Sequence, residues 1–218
     1  VLVPAVLGSE ADDLLDRIVA RRSDFYENEP GRMAYRHGWA LAGVDELTEP
    51  IAAVVRSELD GWCRELGIDI GDAKASTALE LSDVAVTAFL AGDFIGPHID
   101  DGRASRPNGR VISFVYWLHR RPRRFSAGEL RLCGWALHEG KLVAAPPAVD
   151  LDPTHDTLVA FPSSTMHEVF PVQSPSDDFG DARFTITGFV RRRAATPGPR
   201  TLPTTGTARP GVSSRAAP

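Results

Sequence analysis

Apolar residues recur at helical spacing in the first third of the chain and at nearly every second position through most of the remainder. Ser9 is placed to cap a helix whose buried face carries Leu14, Leu15, Ile18 and Val19. Residues 24–47 are polar and irregular, and Pro30-Gly31 marks a turn within them. A second helix is predicted from near Thr48, with Pro50 in its first turn. Ile51, Val54, Val55, Leu59, Trp62 and Leu66 form its stripe, and Gly67 stands where a C-terminal cap belongs.

After about residue 78 the period changes. Leu79, Leu81, Val84, Val86 and Ala88 recur at or near period two, as in half-buried strands. Further strand-like runs lie near 94–99, 111–118, 129–135, 141–145, 157–161, 167–172 and 183–191. Turn residues separate them, including Pro107-Asn108-Gly109, Glu139-Gly140 and Asp152-Pro153. Two helices followed by about eight short strands predict a mainly β jelly roll with the N-terminal helices packed outside. Its expected extent is 1–193, with a helical part at 1–77 and a β core at 78–193. Residues 194–218 are Ala, Thr, Pro, Gly, Arg and Ser with little else, and a disordered tail is expected there.

Composition narrows the class without naming a function. The 218 residues are 43% hydrophobic and 24% charged, with net charge -5, as suits a chain that buries a core. The acidic balance argues against a general nucleic-acid partner. No apolar run approaches the roughly 20 residues of a membrane span. The opening VLVPAVLGSE lacks a methionine and the charged and apolar regions of a secretion signal. Cys63 and Cys133 alone make neither a disulfide framework nor a thiolate metal site, so two reduced thiols in the cytoplasm are expected.

Candidate chemistry begins at His98-Ile99-Asp100. Residues two apart on a strand share a face, so imidazole and carboxylate can converge on one ion. By itself the pair is no more than chance expects among six histidines. Its setting alters that: Phe94-Ile95-Gly96-Pro97 leads a strand to a turn and Asp100-Asp101-Gly102 leaves it as a loop. His167 follows several strands later, just after the turn Phe161-Pro162-Ser163-Ser164, where a rolled double sheet brings back a facing strand. Two neutral imidazoles and one carboxylate leave three positions open on an octahedral metal, the arrangement of non-haem Fe(II) oxygenases. His37 precedes the predicted sheets, while His119, His138 and His155 read as surface or turn residues. Arg183 opens the strand Arg183-Phe184-Thr185-Ile186-Thr187-Gly188-Phe189, on the face of Thr185, Thr187 and Phe189. An inward arginine requires an anion, either a protein acid or a carboxylate ligand held bidentately.

Together these residues resemble the prolyl-4-hydroxylase-like branch of the Fe(II)/2-oxoglutarate dioxygenases over about residues 84–192. The similarity runs through Phe89-Leu90-Ala91-Gly92 to His98 and Asp100, then Arg110 to Tyr116-Trp117-Leu118. It continues through Ala127-Gly128-Glu129-Leu130, Phe161 to Val172, and Arg183-Phe184-Thr185. The resemblance implies a double-stranded β-helix with iron on His98, Asp100 and His167, and 2-oxoglutarate held by Arg183 with Thr187. It also implies O2 as second cosubstrate, ascorbate as a stimulant, and release of succinate and CO2. Three departures stand out: Phe89 and Trp117 occupy places where the family has Tyr, and Gln173–Ala182 lengthens the approach to Arg183. Tyr116 should face the other side of the sheet. Because Asp100 supplies the carboxylate that halide-binding relatives lack, hydroxylation is expected rather than halogenation. The implied substrate is peptidyl, prolyl among the options, or a small natural product, with neither nucleic acid nor membrane as partner. The rival classes are a non-catalytic metal-binding jelly-roll module and a cupin-like metalloenzyme independent of 2-oxoglutarate. The arginines at 103, 106, 110, 120, 121, 123 and 124 form either a solvated basic rim or a field for an acidic substrate.

Overall fold

The computed structural model describes residues 1–28, 36–103, 106–107 and 109–193. The chain starts with β1 (Leu2–Pro4), α1 (Glu10–Ala20), β2 (Tyr26–Glu27), β3 (Arg36–His37) and β4 (Trp39–Leu41). Then come α2 (Asp45–Glu65), the short α3 (Ala75–Ala78), β5 (Leu79–Phe89), β6 (Phe94–His98) and the small hairpin β7 (Gly102–Arg103) with β8 (Arg106–Pro107). The rest is β9 (Arg110–Leu118), β10 (Ser126–Ala127), β11 (Leu130–His138), β12 (Lys141–Leu151) and β13 (Thr157–Pro162), then β14 (Met166–Val169), β15 (Val172–Gln173) and β16 (Arg183–Arg192). Seven strands form one sheet in the order β1-β13-β9-β16-β5-β4-β2, and five form a second in the order β12-β11-β14-β6-β3. This is the double-sheet architecture with outer helices that the periodicity predicts.

Strand alternation decides what each face of the large sheet meets. On β16, Phe184, Ile186 and Val190 join the helix-side core, while Arg183, Thr185, Thr187 and Phe189 line the cavity between the sheets. On β9, Ile112, Phe114, Tyr116 and Leu118 turn to the helices, and Ser113, Val115 and Trp117 turn inward. The helices answer with Leu15, Ile18, Ile51, Val55, Leu59 and Trp62, each at most 3% exposed. A bulge in β5 sets Ala85 opposite Thr187 but Ser82 opposite Phe189, while β16 keeps its alternation. Gly188 sits beside it, where a Cβ would lie 2.7 Å from Phe114 Cζ.

Several expectations need correction. Helix α2 begins at Asp45 rather than near Thr48, so Pro50 lies beyond its first turn. Proline cannot donate to the carbonyl four residues back, and that carbonyl, Glu46, instead accepts from the Arg17 guanidinium at 2.7 Å. Ser9 makes no side-chain cap: its backbone is already helical, and the N–H groups of Glu10 and Ala11 donate to Leu7 O and Gly8 O at 3.2 and 3.3 Å, while the Asp156 carboxylate holds the preceding turn through Leu7 and Gly8 N–H. Residues 24–47 are not wholly irregular: β4 extends the large sheet beside β5, and β3 extends the small sheet beside β6. Two- and three-residue edge strands are too short to show a period. His37 therefore lies within a sheet, bonded to the Asp93 carboxylate, which with Glu27 raises its pKa. His155 lies in a turn as expected, but neither it nor His119 is exposed: burial lowers both pKa values and their rings sit 5.3 Å apart. His138 is exposed at the β11–β12 turn, where Glu139 and Gly140 have φ of 50° and 75°.

Gly67 caps α2 with φ 66°, its N–H reaching Arg64 O while Ile68 N–H reaches Cys63 O at 2.8 Å. Pro30-Gly31, Asn108 and the expected tail at 194–218 lie outside the described residues. Among the described residues no helix is long and apolar enough to cross a membrane.

Candidate functional site

Strands β6 and β14 lie side by side in the small sheet with His98 directly opposite His167, and their ring centroids are 4.1 Å apart. Asp100 follows β6 by two residues. Its backbone N–H and that of Asp101 both donate to Ser163 O, at 2.9 and 3.1 Å. That carbonyl belongs to the turn between β13 and β14, so the segment that presents His167 also fixes Asp100. Asp100 Oδ1 is 3.5 Å from His98 Nε2, and its Oδ2 is 3.2 Å from His167 Nε2. Among the described residues these three form the one His/Cys/Asp/Glu group able to hold a metal, with ligand atoms within 4.8 Å of one another.

The imidazoles are set for ligation. His98 Nδ1–H donates to Gly96 O at 2.9 Å and His167 Nδ1–H to Thr165 O at 3.0 Å. A carbonyl can only accept, so each Nδ1 carries the proton and each Nε2 presents a lone pair to the cluster. Burial pushes His98 down to about 4, helped by His167 and opposed by Asp100. Burial alone would raise the Asp100 carboxyl. Interactions with His167 and His98 and the hydrogen bond from the Ser113 hydroxyl outweigh that and hold it below the usual carboxylate range. At neutral pH His98 is a neutral imidazole and Asp100 a carboxylate.

The lowered His98 pKa has a consequence for stability. A group favoured neutral in the fold contributes fully above its unfolded pKa, near 6.5, and loses that contribution as pH falls towards 4. Metal-free protein should therefore lose about 2 kcal/mol between pH 7.5 and pH 5 through this residue. Urea titrations at both values check this: His98→Asn should remove that part of the pH dependence, and an unaltered dependence would assign it to other groups.

Ser113 supports the carboxylate, donating to Asp100 Oδ2 at 2.8 Å and lying 3.0 Å from the Ser163 hydroxyl. A lone Ser in an apolar strand carries no sequence pattern that marks it. Its inward position on β9, opposite Phe161 and Phe189, was the available signal. Ser113→Ala should weaken metal binding roughly 10- to 100-fold, as removal of outer-sphere partners generally does. Calorimetry with Mn(II) measures it, and wild-type affinity would show that the hydroxyl does not orient Asp100.

Arg183 lies in the same cavity, 1% exposed, its guanidinium carbon 5.1 Å from the Phe89 ring centroid. Nε, Nη1 and Nη2 have no hydrogen-bond partner among the described residues. Burial pushes its pKa down to about 9, opposed by the charges of Glu129 and Asp152. Gly128 makes room for it: a Cβ there would stand 3.1 Å from Arg183 Cδ and 2.9 Å from Val172 Cγ2. Thr187 lines the cavity one pleat from Thr185, whose hydroxyl is bonded to that of Thr87. The cavity thus brings together all five predicted residues, His98, Asp100, His167, Arg183 and Thr187, in about 100 Å³. Tyr116 faces away as expected, its hydroxyl donating to Asp156 at 2.7 Å. A larger cleft of about 700 Å³ opens by His119, Arg121, Arg123 and Asp152. We place the chemistry in the smaller cavity because the metal-ligating donors and the unpaired cation converge there.

A jelly roll holding two imidazoles and a carboxylate at one end of its cavity, and a buried arginine along it, has the layout of a mononuclear non-haem metal domain. Residues 84–191 match the model of the 2OG-Fe(II) oxygenase superfamily, and the chain belongs to that superfamily. It is 32% identical over 186 residues to an uncharacterized PKHD-type hydroxylase of Synechocystis, a match covering 84% of this chain and 60% of that protein. The chain thus spans less than two thirds of that relative's length. The fold superposes on a Pseudomonas putida prolyl-4-hydroxylase at TM-score 0.56 and 21% identity, covering 89% of this chain and 92% of the other. A Trichoplax adhaerens prolyl hydroxylase in complex with a hypoxia-inducible-factor peptide fragment gives TM-score 0.56 at 20% identity, covering 88% and 82%.

Proposed function

We propose that the protein is an Fe(II)- and 2-oxoglutarate-dependent hydroxylase. His98, Asp100 and His167 would hold the iron, and Arg183 with Thr187 would hold the cosubstrate's distal carboxylate. The observation that carries this reading is the pairing, in one cavity, of a metal-competent triad with a buried guanidinium that makes no hydrogen bond to any described residue. Bound together, the iron, 2-oxoglutarate and O2 supply oxidative decarboxylation to succinate and CO2 and oxidation of a substrate C–H bond, with ascorbate as stimulant. The chain's own contribution is placement and exclusion of water. Leu130, Phe161, Val169 and Phe89 wall the cavity, and Arg183 supplies the fixed positive charge at which an anion docks.

The substrate class we favour is peptidyl, prolyl included, with a small natural product as the second reading. Support comes from the superfamily and from the peptide bound by the Trichoplax neighbour. The net charge of -5 favours neither nucleic acid nor an anionic membrane as partner. Two buried free thiols, Cys63 and Cys133, fit a reducing cytoplasm.

The test is direct. Purified protein with Fe(II), 2-oxoglutarate, ascorbate and O2 should release succinate slowly without substrate, and anaerobic Fe(II) protein should develop a charge-transfer band when 2-oxoglutarate is added. Absence of both would return the domain to a non-catalytic metal-binding module. Metal-dependent oxidation without succinate would favour the cupin-like alternative. A mass-spectrometric screen of peptides and metabolites for gain of one oxygen then separates the two substrate classes.

A further inference from the structure

We propose that the protein hydroxylates its own chain, at Pro199. The inference rests on the hydroxylase reading above and names one substrate for that same site.

The cavity has a closed end and an open one. Arg183 is 1% exposed, whereas the side chains of His98 and Asp100 are 21% and 12% exposed, so solvent reaches the cavity at the triad. Strand β16 runs from the closed end to the open one. It begins at Arg183, passes Phe189 opposite Ser113, and ends three residues on at Arg192, roughly 10 Å further along an extended strand. Arg192 N–H donates to Gly109 O and Arg193 N–H to Ala78 O, both at 2.9 Å, which pins the point of departure. Arg192 also lines a surface hollow with Asp101, Pro162 and Ser164, beside the loop that carries Asp100. The chain therefore leaves the fold on the rim of its own metal site.

Beyond that point, outside the described residues, the sequence runs Ala194-Ala195-Thr196-Pro197-Gly198-Pro199-Arg200-Thr201-Leu202-Pro203. Residues 194–218 carry Arg200, Arg209 and Arg215 and no acid, in a chain whose net charge is -5. The seven residues from Arg192 to Pro199 can span up to about 24 Å, enough to turn and come back to the triad. Pro197 leaves little length for the turn, and later prolines add only slack and its entropy. A tether this short presents its segment at roughly millimolar effective concentration, so modest contacts suffice. Asp101 offers one. Its Oδ1 is buried with no hydrogen-bond partner among the described residues, and a buried acceptor calls for a donor. The Arg200 guanidinium is such a donor, and its pairing with Asp101 would set the preceding Pro199 beside Asp100. The reaction balances: one oxygen of O2 enters a prolyl C–H bond as hydroxyl and the other enters succinate. The C–H bond supplies two of the four electrons, and loss of CO2 from 2-oxoglutarate supplies the other two.

The experiment uses the full chain, purified with chelator and then given Fe(II), 2-oxoglutarate, ascorbate and O2. Tandem mass spectrometry should find one added oxygen on Pro199, and none there in Asp100→Ala or without 2-oxoglutarate. Succinate should appear as a burst equal to the hydroxyproline formed, and Pro199→Ala should abolish the burst without altering the melting temperature. The rate should stay constant on roughly tenfold dilution, as for a reaction within one chain, and a rate that falls with concentration overturns the tethered route. Arg200→Gln should slow the step about tenfold, and an unchanged rate overturns the pairing with Asp101. Pro199 left unmodified while succinate forms, or while the 2-oxoglutarate charge-transfer band develops, rejects the self-substrate and leaves the hydroxylase reading standing. Neither succinate nor band would reject both.

Discussion

Asp100→Ala is expected to abolish succinate formation and to weaken Fe(II) or Mn(II) binding by more than about 100-fold, beyond what loss of an outer-sphere partner produces. The reason lies in the charge state of the cluster. Asp100 is its only anion, held ionised by His167, His98 and Ser113 against the cost of burial. Without it, two neutral imidazoles face a dication in a half-buried pocket. The substitution spares the backbone, because the N–H bond from residue 100 to Ser163 O does not involve the side chain. Asp101→Ala is the matched control. It keeps the neighbouring bond to Ser163 O and removes a carboxylate that stands outside the metal cluster, so metal binding should persist. Metal titration and a melting curve on both variants decide the matter, and an active Asp100→Ala would place the anionic ligand elsewhere.

Arg183→Met is expected to move stability and function in opposite directions. The guanidinium is buried without an acceptor among the described residues, and its pKa pushed down to about 9 still leaves it charged at neutral pH. A base whose folded pKa is depressed destabilises the fold at every pH below that value, a burden that lightens only as pH rises above about 9. Replacing it with an apolar chain of similar length removes that burden. Ligand-free protein should melt about 3–5 °C higher, the shift that 1–2 kcal/mol produces in a chain of this size. The same variant should require roughly 100-fold more 2-oxoglutarate, because bidentate carboxylate recognition is lost while the triad stays intact. Melting with and without 2-oxoglutarate reads both effects: the ligand should stabilise wild type and leave the variant unmoved. A variant that melts lower and binds normally would make Arg183 a structural residue.

The parts of this protein legible in the sequence were those governed by periodicity. Both long helices and most long strands follow their apolar spacing, and alternation along Arg183–Phe189 placed Arg183, Thr185 and Thr187 on the cavity side; β12 is the exception, running to Leu151 rather than ending near 145, with Leu142, Val143 and Val149 exposed. The metal cluster was legible because its three residues flank turns that punctuate the pattern. What escaped notice was set by tertiary partners. Arg17 takes the Glu46 carbonyl that Pro50 leaves free in α2, and the turn held by Asp156 supplies Leu7 O and Gly8 O to the first N–H groups of α1 in place of a Ser9 cap. Short strands β1 to β4 form because longer strands offer them an edge, not because their own residues insist. Ser113 became visible only once β9 and the Asp100 loop were side by side.

The direct opposition of His98 and His167 ties the metal site to the pairing of β6 with β14. Side-chain direction alternates along a strand, so a slip of one residue would turn His98 to the far face and leave no site at all. Correctly paired chains bind metal and slipped chains do not, and bound metal then adds its own binding energy to the correct pairing. Metal stoichiometry in a purified sample thus doubles as a measure of how many molecules have zipped their small sheet in register.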